Sequence, residues 1–300
     1  MTSQLKNIAI IGASGSVGKI ILDALTSDPR FNITVLTRPT STAVFPTGIT
    51  VYRTDYSHTD LVEAFKGKDS VISVVGMTGF VQQKEFIDAA ISAGVKRFIP
   101  SEFSSNTLSP AVLELMPVFG QKKGVLEYLE EKERSGLSWT AIWPALLFDS
   151  GLKSGFLGFD IANRTATIWD DGTSKFTLTD DEQLGLAVVA VLDRPALTAN
   201  KNIYIASFET SQKEILAALE EETADKWSVT DTTTSEEVSE ASEKLSRGDF
   251  SGAFTLVRAT SFANTAGLRA NYLRDEKLSN ELLGLEFGSV KKTVARVLRG

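Results

Sequence analysis

Apolar residues along this chain fall into two alternating rhythms. Short runs of β-branched and aromatic side chains at 7–11, 31–37, 49–55, 70–75, 95–100 and 137–144 read as strands, and the stretches between them carry apolar positions at helical spacing. Val17, Ile20, Ile21, Ala24 and Leu25 share one helix face after the first strand, and Leu61, Val62, Ala64 and Phe65 share another after the third. Two more helices are predicted at 81–93, with Phe86, Ile87, Ala90 and Ile91 inward, and at 117–134, with Val125, Leu126 and Leu129 on one face. The run 70–75 is almost unbroken in apolar character, which suits a strand covered on both sides. Strand and helix in regular alternation predict an α/β fold with a doubly wound parallel sheet, whose ligands bind beyond the carboxyl ends of the strands.

Residues 40–48 and 104–115 read as loops, and from Ala145 the alternation lapses. We therefore expect a first domain over 1–150 and a smaller C-terminal α+β region over 151–300, interleaved with the sheet and shaped to bind substrate. In that region the pattern predicts strands at 165–169 and 202–206, a turn at 170–172, and helices near 181–193, 211–222, 235–247, 276–283 and 289–298. The stretch 151–159 is rich in both glycine and aromatics. It reads either as a mobile segment over an apolar ligand or as a surface loop that its aromatics anchor to the core. Phe148, Phe156, Phe159 and Trp169 are the candidate pocket wall.

The chemistry begins where the first strand runs into Gly12-Ala13-Ser14-Gly15-Ser16-Val17-Gly18. On its own this triplet is only a glycine-rich turn. Between a strand and a helix it becomes a phosphate cradle: Gly12 permits the turn, Gly15 carries no Cβ to hold phosphates off the backbone, Gly18 lets the helix pack closely, and the helix N-terminus offers free N–H groups. The dinucleotide so implied is further specified at the end of the second strand. There an acidic residue would meet the ribose 2′-hydroxyl of NAD, and an arginine the 2′-phosphate of NADP. The residue is Arg38, with no acid beside it, so NADP(H) is favoured unless Arg38 is merely a solvated loop residue. Asp55 and Tyr56 fall where an adenine can lie. The next strand ends bring Gly76 and then Ser101, Glu102 and Phe103 to the same edge.

Composition narrows the possibilities further. The 300 residues include no cysteine and one histidine, His58, which excludes disulfides and thiol chemistry and argues against a metal site. His58 stands just ahead of a helix and is assigned no catalytic role. A net charge of −7 and a pI near 5.0 argue against general affinity for nucleic acid or anionic membranes. Neither a leader-like N-terminus nor a long apolar run is visible, so a soluble cytoplasmic protein is expected.

Tyr128 and Lys132 form the Y-x-x-x-K pair that many short-chain reductases use for proton transfer, and their spacing puts them on one helix face. Their position argues against that role. The helix starts near the ligand edge and runs away from it, and Lys132 lies roughly 15 Å further along than Lys122 at 1.5 Å per residue. Lys122 is better placed to bind the nicotinamide ribose, to stabilise an oxyanion, or to act as general acid, although Lys122 and Lys123 also read as a solvated basic pair.

The chain resembles the NmrA-like and isoflavone reductase-like family of atypical short-chain dehydrogenases. The likeness is carried by residues 11–18, by Leu36-Thr37-Arg38-Pro39, by Gln83, by Gly94-Val95-Lys96-Arg97-Phe98-Ile99-Pro100-Ser101-Glu102-Phe103, and by Lys122 after Phe119. The second half is similar only in layout, including Gly172. The resemblance implies NADPH-dependent reduction of small, mostly apolar, aromatic phenylpropanoid-type compounds, with Lys122 matching the catalytic lysine. Two departures stand out: Ser104 occupies a position that is glycine in the plant pattern, and Val118 occupies the usual tyrosine position. The alternative is an NmrA-type regulator that binds NADP(H) and a protein partner without chemistry.

Overall fold

The computed structural model describes residues 4–299. The strands β1 (Asn7–Ile11), β2 (Asn32–Thr37), β3 (Thr50–Arg53), β4 (Ser70–Ser73), β5 (Arg97–Ile99) and β6 (Ser138–Trp143) alternate with helices α1 (Ser16–Thr26), α2 (His58–Phe65), α3 (Gln83–Ser92), α4 (Pro110–Leu115) and α5 (Gly120–Glu131). All six strands belong to one seven-stranded parallel sheet. The seventh member, Lys201–Tyr204, comes from far down the chain and pairs with β6, giving the order 201–204, β6, β5, β4, β1, β2, β3.

The pleat of β1 shows why both faces must be covered. Ile8 and Ile10 face the core under α1 and the later helix Asp181–Asp193, while Ala9 and Ile11 face the core under α2, α3 and α5. All four are buried, as a central parallel strand requires.

Charged groups pin the amino ends of the strands. The Asp69 carboxylate accepts hydrogen bonds from the backbone N–H of Lys6 and Asn7 and from the Lys96 ammonium, tying β1, β4 and β5 together. Arg97, 2% exposed, donates to the hydroxyls of Ser138, Thr140 and Thr198 and to the Pro195 carbonyl. Burial pushes its pKa down to about 10.

A second core lies beyond the sheet. Two three-stranded sheets, one of 146–147, 176–179 and 208–210 and the other of 159–160, 165–169 and 228–232, surround it with helices Gln212–Thr223, Ser251–Phe262 and Val290–Arg299. The chain does not divide at one point. Helix Asp181–Asp193 and strand Lys201–Tyr204 belong to the first core, although they follow part of the second.

Several elements differ from the pattern-based expectation. The loop expected at 104–115 contains α4, which Ser109 caps by accepting from the Val112 N–H, with Pro110 at its first turn. The helix expected at 117–134 is a 3₁₀ turn, then α5, then a second 3₁₀ turn closed by left-handed Gly136. The helix expected at 276–283 is helical only over Asn280–Leu283, because Leu278 bridges Tyr204 and holds the preceding segment extended; a separate short helix, Tyr272–Asp275, comes before it. Among the described residues no helix is long and apolar enough to cross a membrane.

Candidate functional site

The carboxyl ends of β1, β2 and β4 open onto a cleft of about 730 Å³. Of the residues expected to hold a dinucleotide, Gly12, Ser14, Gly15, Arg38, Asp55, Tyr56 and Gly76 line it. Gly12 has φ +87°, and a Cβ there would stand 2.3 Å from the Val74 carbonyl oxygen. A Cβ on Gly18 would stand 2.2 Å from the Gly12 carbonyl oxygen, so this glycine packs α1 against the turn itself. Gly15 is the N-cap of α1, whose first turn, with Ser16, Val17 and Gly18, contains no acidic residue to oppose an anion. The cleft therefore has a backbone cradle of donors and a space that no side chain fills.

Arg38 is exposed at the rim, just past β2, close enough to Tyr56 to act on it electrostatically. Tyr56 holds a left-handed φ of 63°, and its N–H donates to the Thr54 hydroxyl while its ring packs 5.7 Å from Phe86. The Asp55 carboxylate accepts from the Ser57 N–H, which holds its pKa below the usual range. The sequence pattern did not single out Ser41, Phe45, Thr78, Gly79 or Gln82, which also line the cleft. They come from a polar loop and a 3₁₀ turn, where no periodicity marks a side chain as facing a ligand.

Ser101, Glu102 and Phe103 do not line the cleft. Ser101 donates from its hydroxyl to the Val75 carbonyl and from its backbone N–H to the Gln83 carboxamide, so it and Gln83 brace the cleft wall from behind. Phe103 is in the core under α1. Glu102, 1% exposed, accepts from the Thr107 hydroxyl. Burial raises its pKa, and the charge of Lys122 and the Thr107 hydrogen bond pull the other way.

Lys122 stands on the first turn of α5 at the seam between two cores. Its neighbours along the helix, Val125, Leu126 and Leu129, pack under the sheet, whereas Phe80 and Phe119, whose rings flank its ammonium at 4.9 and 5.0 Å, belong to the second core. The ammonium donates to the Ser104 hydroxyl at 2.8 Å and to the Glu102 carbonyl at 3.3 Å. The Ser104 hydroxyl passes a hydrogen bond on to that same carbonyl. Desolvation lowers the lysine pKa to about 8, with Glu102 opposing the shift. Lys122 is thus a buried amine that titrates close to neutrality, not half of a solvated pair.

Tyr128 and Lys132 are held elsewhere. Tyr128 donates to Asp88 at 2.7 Å, and Lys132 lies 3.7 Å from the same carboxylate with its ammonium over the tyrosine ring. Neither residue lines the cleft, and Lys122, expected to bind the cofactor, does not line it either; what sets Lys122 apart is its burial against Phe80 and Phe119. His58 is exposed and contacts Glu85.

The aromatic wall is a correction to the sequence reading. Phe148, Phe159 and Trp169 are 0%, 0% and 1% exposed. Phe148 packs edge-on against Phe208, Phe159 against Trp227 and Trp169 against Phe262, so they fill the second core rather than face an open site beside the cleft. Phe156 is partly buried and meets Phe254.

Three comparisons place this geometry among known proteins. Residues 4–245 match the model of the NmrA-like family. The oxidoreductase aprR of Aspergillus flavus is 37% identical over 296 residues, covering 98% of this chain and 99% of that protein. An isoflavone reductase homolog of Solanum tuberosum is 30% identical over 213 residues, covering 66% of this chain and 68% of that protein. Among solved structures, a ternary complex of leucoanthocyanidin reductase from Vitis vinifera superposes with a TM-score of 0.80 at 18% identity, covering 98% of this chain and 100% of that one. The same enzyme has been solved as a binary complex with NADPH, with a TM-score of 0.79. By its sequence match over most of its length, and with the fold to accompany it, the chain belongs to the NmrA-like family.

Proposed function

We propose that this protein is an NADPH-dependent reductase of a small, mostly apolar, aromatic carbonyl or conjugated compound, with Lys122 as its catalytic residue. The observation that carries the reading is the buried Lys122 ammonium at the seam of the two cores, with a pKa lowered to about 8 and, among the described residues, hydrogen bonds to a hydroxyl and a carbonyl. An amine in that state holds positive charge near neutral pH and can release a proton at little cost. Its relatives support the class of chemistry: aprR is named an oxidoreductase and the Solanum tuberosum protein an isoflavone reductase homolog.

The cleft fits the dinucleotide by its own features. The Gly12 turn and the α1 N-terminus would hold the pyrophosphate, Arg38 the 2′-phosphate, and Tyr56 would lie against the adenine. When bound, NADPH supplies a hydride. Lys122 offsets the charge that develops on the substrate oxygen and donates the proton, directly or through one water, while Phe80 and Phe119 keep bulk solvent from the ammonium.

The test is NADPH consumption across a panel of aromatic enones and ketones, with Lys122→Ala beside the wild type. The expected result is turnover that falls by about 100-fold or more in the variant, the scale of a lost acid catalyst, with NADPH binding nearly unchanged. Undiminished turnover in Lys122→Ala would remove the lysine from the chemistry. NADPH binding without consumption on any compound, together with a protein captured by pull-down, would favour an NmrA-type regulator instead.

A further inference from the structure

A second cavity, of about 640 Å³, opens in the C-terminal part of the chain between the segment 153–162 and helix Ser251–Phe262, and it shares no lining residue with the cleft. Its accessible apolar surface comes from Ile161 and Ala162, over the buried Phe159, and Arg258 lies against it. The wall is fixed in shape: Gly158 has φ +84°, and its carbonyl accepts from the Thr167 N–H at 2.8 Å.

Arg258 is partly buried without a counter-charge. Among the described residues its side chain donates one hydrogen bond, from Nη2 to the Thr255 hydroxyl at 2.8 Å, and its Nε–H is buried with no acceptor. Glu237 acts on it electrostatically but makes no ion pair with it among the described residues. The one carboxylate lining the cavity, Asp160, is occupied by the backbone N–H and side-chain amide of Asn163. A second buried donor stands close by. The Trp169 ring lies 5.9 Å from the Arg258 guanidinium carbon, and its indole N–H also lacks an acceptor among the described residues, although the residue is 1% exposed and does not itself line the cavity.

Withdrawing a cation from water without pairing it is costly, and Arg258 is the one such cation lining this cavity that is partly buried with an unpartnered N–H among the described residues. An acceptor-bearing anion would satisfy the guanidinium, whose planar fork matches a carboxylate. We propose that this cavity binds a small organic carboxylate, with its charged end on Arg258 and its apolar body along Ile161 and Ala162. The site belongs to the second core alone and does not depend on the reading of the dinucleotide cleft.

The test titrates the full chain with trans-cinnamate and with its neutral isostere cinnamamide, followed by tryptophan fluorescence and calorimetry, with and without NADP+. Cinnamate is expected to bind at least about tenfold more tightly than the amide, the scale of a hydrogen-bonded charge, with the same affinity in either condition. Arg258→Gln is expected to erase this preference, and Arg258→Lys to keep part of it, with both melting temperatures recorded. If Arg258→Gln does not fold, the weakened preference in Arg258→Lys decides the matter. Equal binding of acid and amide by the wild type, no saturation by millimolar cinnamate, a preference that survives Arg258→Gln, or competition by inorganic phosphate as strong as by cinnamate would each overturn the assignment. Failure of NADP+ to bind in the same titrations would count against the proposed reductase while leaving this site standing.

Discussion

The two ends of the parallel sheet treat their charges in opposite ways. At the amino ends, Asp69 and Arg97 are engaged on every side by partners from neighbouring strands and loops. At the carboxyl ends, Arg38 is exposed at the rim of an open cleft, and Lys122 is buried against two aromatic rings with a hydroxyl and a carbonyl for company. Arg97 and Lys122 are both buried cations with depressed pKa values. They differ in what surrounds them: a guanidinium at about 10 stays charged throughout the physiological range, whereas an amine at about 8 is charged near neutral pH but begins to lose its proton within that range. Saturated charges hold the sheet together, and the incompletely satisfied ones are those to which the proposed function assigns a ligand.

That contrast can be broken from either side. Arg97→Met should have the largest effect on stability, about 2–4 kcal/mol, because it strands the Pro195 carbonyl and the hydroxyls that the guanidinium now joins. Denaturant unfolding measures the loss, and the folded fraction should bind NADPH with unchanged affinity. A change in affinity would mean that the two ends are coupled. Arg38→Ala should weaken NADPH binding by about 1–3 kcal/mol and NADH binding far less, with the melting temperature unaltered. Equal losses for both cofactors would deny Arg38 its discriminating role.

The smallest effect sharpens the comparison most. The Ser104 hydroxyl accepts from the Lys122 ammonium and so favours its charged form. The rate should fall as pH rises through about 8, as the lysine loses its proton. Ser104→Ala removes an acceptor and should move that alkaline limb to lower pH by about 0.5–1 unit, the worth of one hydrogen bond. A pH–rate profile that does not move would leave Ser104 with a merely structural role.

Legibility in the sequence follows the same division. The sheet was readable because its strands are flanked by helices with clear apolar faces, and Gly12, Arg38 and Lys122 stand at fixed offsets from those elements. In the second core, strand Thr165–Trp169 and helices Gln212–Thr223, Thr234–Ser246 and Val290–Arg299 were readable, but the strands at 146–147, 159–160, 176–179, 208–210 and 228–232 were not, since runs of two to five residues leave little room for a period of two. Helix Ser251–Phe262 was missed as well. It is buried along much of its length and contains Gly252, Thr255, Val257 and Thr260, which weaken a helical signal. The Ser104 contact was hidden for another reason. The serine was visible as a departure from the plant pattern, but only the fold brings it to a lysine 18 residues away.

The strand at Lys201–Tyr204 has a consequence for how the protein is made. Until it is synthesised, β6 is the border of the sheet and leaves the backbone groups of Ala141, Ile142 and Trp143 without their neighbour. A ribosome that has released only the first 150 residues presents an adhesive, unfinished edge, and a fragment cut there would be prone to associate with itself. The dinucleotide half, though contiguous in its motifs, completes its own sheet only after the chain has entered the second core and come back.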